Sequence, residues 1–203
     1  MRWLWVIFLV VTLPGCFTSG KRGGDSPMVV YDLGLGVNPA ASQNIQAFEH
    51  LALEVKAPLW FDSLGITYRL NYDDPSRLRQ YAQARWVGAP ALLIQQNLTQ
   101  SLGLKFAGQT KAKCVLRIEI TEFSQIFESR INSSGVLQGR AIWLDRSRQN
   151  LAELKLDVRV DAPTENSRGG VTALQQTVAN LAGALQHWEA KLRAEGQTPS
   201  CAN

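Results

Sequence analysis

Hydrophobic and polar positions alternate along several stretches of the chain. Residues 28–34 form a short, β-branched run bounded by Pro27 and Gly34, which predicts a strand. In residues 50–56, Leu51, Leu53 and Val55 fall on one face and His50, Glu54 and Lys56 on the other, and Pro58 follows. A third strand is predicted over residues 65–70, and Asp73-Asp74-Pro75 reads as a turn. Residues 76–86 fit no strand pattern: Leu78, Tyr81 and Arg85 are spaced for one helical face, or the segment is loop.

Pro90 suits the first turn of a helix over residues 90–102, with Ala91, Ile94, Leu98 and Leu102 inward and Gly103 as its stop. A three-strand meander follows. Cys114, Leu116, Ile118 and Ile120 alternate with polar neighbours, and residues 132–135 break the chain. Leu137, Gly139, Ala141 and Trp143 alternate next, before a second break at residues 148–150. The last strand places Ala152, Leu154, Leu156, Val158 and Val160 opposite Glu153, Lys155, Asp157, Arg159 and Asp161. Such alternation means one buried and one wet face. Thr172 and Gln175 form a capping-box signature. Leu174, Val178, Leu181, Leu185, Trp188 and Leu192 then trace an apolar helical stripe. The expected class is α+β: a mostly antiparallel sheet with one wet face, covered on the other by helices at about residues 90–102 and 172–194.

The ends change this picture. Arg2 precedes an apolar run of about eleven residues, roughly 16 Å as a helix, where a bilayer crossing needs about 20 residues. The run reads as the core of a cleaved export signal. Leu13-Pro14-Gly15-Cys16 resembles the lipobox of bacterial lipoproteins, with Pro14 an unusual occupant. That resemblance implies acylation of Cys16, and Phe17 in place of aspartate implies outer-membrane sorting. The expected layout is a signal peptide at 1–15, the lipidated cysteine and a glycine-rich tether at 16–27, one domain at 28–195, and a polar tail at 196–203.

Composition excludes more than it adds. The formal charge is +4, and +3 once Arg2 is removed with the signal, without a basic block of the kind that binds nucleic acid. Cys114 and Cys201 could form a disulfide in an oxidising compartment or remain a packed and a terminal thiol. His50 and His187 lack the spacing of a metal site, and there is no nucleophile elbow or phosphate loop. No cofactor, metal or catalytic activity is therefore expected. Trp60, Phe61, Tyr68, Tyr72, Tyr81 and Trp86 lie close in sequence to Arg69, Arg77, Arg79 and Arg85. Such a mixture suits either a protein interface or an ordinary core with solvated arginines.

Leu51-Ala52-Leu53-Glu54-Val55, Pro58-Leu59-Trp60-Phe61-Asp62, Ile66-Thr67-Tyr68-Arg69-Leu70, and then Tyr81, Arg85, Trp86, Pro90, Leu93 and Leu98 are spaced as in the ABC-type transport auxiliary lipoproteins. The chain resembles that family over about residues 31–188. The resemblance implies a non-enzymatic lipoprotein of the outer membrane, facing the periplasm. Its partner would be a mammalian-cell-entry protein of an ABC lipid transport system, and it could form a homo-oligomer. Tyr68, Arg69, Tyr81, Arg85 and Trp86 are the candidate interface residues. A lipid-binding carrier and an assembly lipoprotein for another outer-membrane machine are the alternatives.

Overall fold

The computed structural model describes residues 27–34, 51–61, 63–107, 112 and 114–196. The expected export signal, Cys16, the expected tether through residue 26, His50, Asp62 and the tail with Cys201 lie outside them.

The described elements are β1 (Val29–Tyr31), β2 (Leu51–Lys56), a 3-10 turn (Leu59–Phe61), β3 (Gly65–Leu70), β4 (Asp74–Trp86), α1 (Pro90–Leu102), β5 (Lys105–Phe106), β6 (Cys114–Ser129), β7 (Asn132–Leu144), β8 (Asn150–Asp161) and α2 (Ser167–Ala194). The eight strands form one mixed sheet, and the fold is α+β as expected. Its longest ladders, β6 with β7 and β7 with β8, are antiparallel. Two shorter strands run parallel to β6 along the same edge: β2 pairs with residues 114–119, and β3 with residues 125–127. β3 also forms an antiparallel hairpin with β4, whose end pairs in parallel with β1.

Both helices cover one face. Leu174, Val178, Leu181 and Leu185 of α2 are fully buried, and with Ile94 and Leu98 of α1 they join Leu53, Leu116, Ile118 and Leu137 in a common core. The wet face carries cross-strand ion pairs instead. Glu54 takes Arg117 at 2.9 Å and Arg148 at 3.0 Å, and Glu119 takes Arg140 at 2.7 Å. Oppositely charged residues on facing strands attract, which favours this register.

Three expectations need correction. Residues 76–86 belong to a strand, neither helix nor loop. Its register against β3 shifts twice, between Gly65 and Thr67 and between Tyr68 and Leu70, so the two-residue alternation is broken within the segment. Residues 132–135 open β7 rather than interrupting the chain; the turn is at Arg130 and Ile131, and Ser133 and Ser134 are buried. Finally, α2 starts at Ser167 rather than 172. Asn166 caps it by accepting from the Gly169 N–H, while Thr172 donates to the Arg168 carbonyl inside the helix. Gly170 lets this first turn approach β6, because a Cβ there would lie 2.0 Å from Gln125 Oε1.

Candidate partner-docking region

The five candidate interface residues come from adjacent strands but divide between the two faces of the sheet. Tyr68 and Tyr81 meet on the helix-covered side, with ring centroids 4.7 Å apart, and Tyr68 also meets the edge of Phe127 at 5.9 Å. Trp86 is buried at 1 % exposure and stacks on Phe123 at 6.0 Å. It is a core residue, so its place in the candidate interface is corrected. Ala84 and Trp86 point inward, which leaves the exposed Arg85 between them directed away from the core. Arg69 donates to Glu122 at 3.0 Å and to the Pro75 carbonyl at 3.2 Å.

A polar cluster lies beneath the first turn of α2. The Tyr81 hydroxyl donates to Gln125 Oε1 at 2.7 Å, and Gln125 Nε2 donates to Ser133 Oγ at 2.8 Å. Gln125 is wholly buried, so these bonds satisfy an amide that would otherwise be costly to bury. Burial, and then the neighbouring Tyr68, push the Tyr81 hydroxyl above the ordinary tyrosine range. It is therefore a neutral hydrogen-bond donor at physiological pH. A cavity of about 220 Å³ opens beside it, between Tyr81–Ala84 of β4 and Asn166–Ser167.

On the wet face, burial raises the Glu54 carboxyl, but hydrogen bonds and charge from Arg117, Arg148 and Lys56 outweigh it and leave the pKa below the usual value. Glu54 thus remains an anion that ties β2 to β6 and to the β7–β8 turn.

Cys114 is disulfide-bonded. Cys201, its candidate partner, and the lipidation candidate Cys16 are outside the described residues. His187 lines a surface cleft of about 490 Å³ between β8 and α2, together with Leu154, Leu156, Val158, Trp188 and Lys191. No group of three metal-ligating side chains occurs among the described residues.

Sequence reasoning missed Gln125, because a polar residue within a strand reads as solvent-facing, and Ser133, because residues 132–135 read as a break in the chain. Gly170, whose missing side chain leaves room for Gln125, was the available signal. Sequence reasoning also grouped Trp60 with Phe61, whereas Phe61 is buried and Trp60 is 64 % exposed.

No family model matches the chain, and no curated protein matches it. Solved structures do. A crystal structure of an uncharacterised protein aligns with 79 % of this chain and 97 % of its own, at 14 % identity and a TM-score of 0.60. A Xanthomonas campestris protein of the family named DUF330 aligns with 85 % of this chain and 97 % of its own, at 16 % identity and a TM-score of 0.63. A candidate lipoprotein from Caulobacter crescentus overlaps 51 % of this chain at a TM-score of 0.41, too little to define a shared fold. At these identities the first two likenesses are likenesses of fold: the chain has the architecture of the Xanthomonas DUF330 structure across most of its length.

Proposed function

We propose that this chain is a lipid-anchored periplasmic protein of the outer membrane, serving as a non-catalytic docking component of an ABC-type lipid transport system. The observation that carries the reading is one sequence signature. A lipobox-like Leu13-Pro14-Gly15-Cys16 precedes a domain that resembles the auxiliary lipoproteins from Tyr31 to Trp188.

Physical reasoning supports the division of labour. Acyl chains on Cys16 would hold the domain at a bilayer, each buried methylene contributing about 0.8 kcal/mol. Residues 17–26 would span up to roughly 35 Å when extended. Confinement at the surface raises the effective concentration of a membrane-bound partner. Within the candidate set Arg85 is exposed, while Tyr68, Arg69 and Tyr81 are half-buried, which makes Arg85 the group most available for contact. Trp86, Tyr81 and Gln125 hold the strand that carries it.

The test is affinity purification of the full chain from its native membranes, with identification of the proteins that accompany it. A mammalian-cell-entry protein or its transporter is the expected companion. Recovery of a different outer-membrane machine, or of no transporter component, overturns the reading.

A further inference from the structure

The sheet ends on β8, and the outer edge of β8 has no strand partner among the described residues. Edge strands in soluble proteins are usually blunted by proline, bulges, inward-pointing charges or short length. Of these, β8 has only a register irregularity at its first residues, and the charges on its wet face, a further way of blunting an edge, alternate in sign so that a matching strand can pair them. Residues 150–161 contain no proline, and every inward position from Ala152 to Val160 is apolar. The only register irregularity against β7 lies at the start of the strand, where Leu144 meets Asn150.

On the wet face, Glu153, Lys155, Asp157, Arg159 and Asp161 alternate in sign. This alternation discriminates between modes of pairing with an identical strand. Parallel, in-register pairing sets like charge beside like charge at all five positions. Antiparallel pairing about a two-fold axis perpendicular to the sheet keeps each face on its own side, and its outcome depends on the residue at the axis. An odd-numbered residue there opposes like charges, whereas an even-numbered one opposes unlike charges.

We propose that two copies of this chain pair antiparallel through their β8 edges, with the two-fold axis at Leu156. In this register Lys155 faces Asp157 of the other copy and Glu153 faces Arg159, each pair occurring twice by symmetry. On the helix side, Leu154 faces Val158 and Ala152 faces Val160. The ladder covers residues 151–161, nearly the whole strand. Moving the axis to Leu154 or Val158 shortens it to residues 150–158 or 155–161.

The two sheets then become continuous, and the clefts between β8 and α2 meet across the axis. Leu154 and Val158, half-buried in the single chain, gain apolar neighbours there. Within one chain, Glu153 already contacts Arg140 at 3.7 Å and Arg159 contacts Glu128 at 2.9 Å. Among the described residues Lys155 and Asp157 take part in no ion pair, and Asp157 accepts a hydrogen bond from Gln138 Nε2 at 3.1 Å.

The experiment uses the purified full-length chain in density-matched detergent, with its mass measured by sedimentation equilibrium. The wild type is expected to be a dimer. Lys155→Glu and Asp157→Lys each create two like-charge contacts, raising the dissociation constant by about tenfold or more. An equimolar mixture of the two variants restores the dimer as a mixed pair, and the double variant restores it as a homodimer. Both rescues are specific to the axis at Leu156, since axes at Leu154 or Val158 leave like charges opposed in the double variant. Lys155 is exposed, so when both proteins are diluted to monomer the melting curve of Lys155→Glu coincides with that of the wild type.

A monomeric wild type overturns the proposal. So does an oligomer indifferent to Lys155→Glu, or failure of the double variant to recover. The measurement needs only the purified chain and therefore stands or falls separately from the docking reading.

Discussion

Tyr81 donates its hydroxyl hydrogen to Gln125 Oε1 at 2.7 Å, joining β4 to β6 under the first turn of α2. Loss of that donor leaves a fully buried amide oxygen short of a partner. Tyr81→Phe is expected to lower stability by about 1–3 kcal/mol in chemical denaturation. The hydroxyl pKa is raised in the folded protein, so its contribution is complete below the ordinary tyrosine value near 10 and fades as pH climbs towards the folded value. The gap between wild type and Tyr81→Phe should therefore narrow above pH 10; a gap that widens there contradicts the assignment.

Trp86 and Arg85 are neighbours with opposite roles. Trp86→Ala removes a buried indole and should cost about 3–5 kcal/mol, seen as a large fall in melting temperature. Arg85→Ala should leave the melting curve unchanged while weakening recovery of partners. If Arg85→Ala also leaves partner recovery unchanged, that arginine is no docking residue.

Glu54 holds three cations, so Glu54→Gln should cost about 1 kcal/mol at neutral pH, and less in high salt. Its pKa is lowered from 4.5 in the folded state, and the stabilisation is thus present above that value and lost as pH falls through the folded pKa. Denaturation of wild type and variant should converge in acid. A constant difference down to low pH would contradict the ion-pair account.

Gly135 lies where β7 touches α2, and a Cβ there would fall 2.7 Å from the backbone at Ala173 and Leu174. Gly135→Ala must push the helix off the sheet, at a cost of about 1–3 kcal/mol. Hydrogen exchange should show α2 loosening before α1. Unchanged protection in α2 would mean that the seam yields more easily than its geometry indicates.

Cys16→Ser tests the anchor. The variant is expected to leave the membrane fraction for the soluble one, with the melting curve of the folded region unchanged. Persistent membrane association would show that another part of the chain provides attachment.

Much of the architecture was legible because strict alternation has one structural solution. β2, β8 and the inner stripe of α2 follow directly from Leu51-x-Leu53-x-Val55, from Ala152 through Val160, and from Leu174 through Leu192. β4 was illegible because the register shift between Gln80 and Arg85 puts Tyr81 and Trp86 on the same side at an odd spacing. The first residues of β7 were illegible because Ser133 and Ser134 are buried with partners on the neighbouring strands, Gln125 of β6 and Asp161 of β8, which become visible only once the strands are paired. The candidate site suffered from the same limit. Adjacent aromatic and arginine residues in a strand point to opposite sides, so proximity in the sequence grouped Arg85 with Trp86 although they never share a surface.

One edge of β6 serves both β2 and β3, and this sets an order of events as the chain is made. β2 and β3 emerge first, at the ribosome or at the far side of an export channel, yet Leu51 must await Cys114 and Tyr68 must await Gln125. Until then, the β3–β4 hairpin is the part of the early half that can close locally. The late half, β6 to α2, contains its own meander and covering helix. The second half of the polypeptide is thus the template on which the first half acquires its shape.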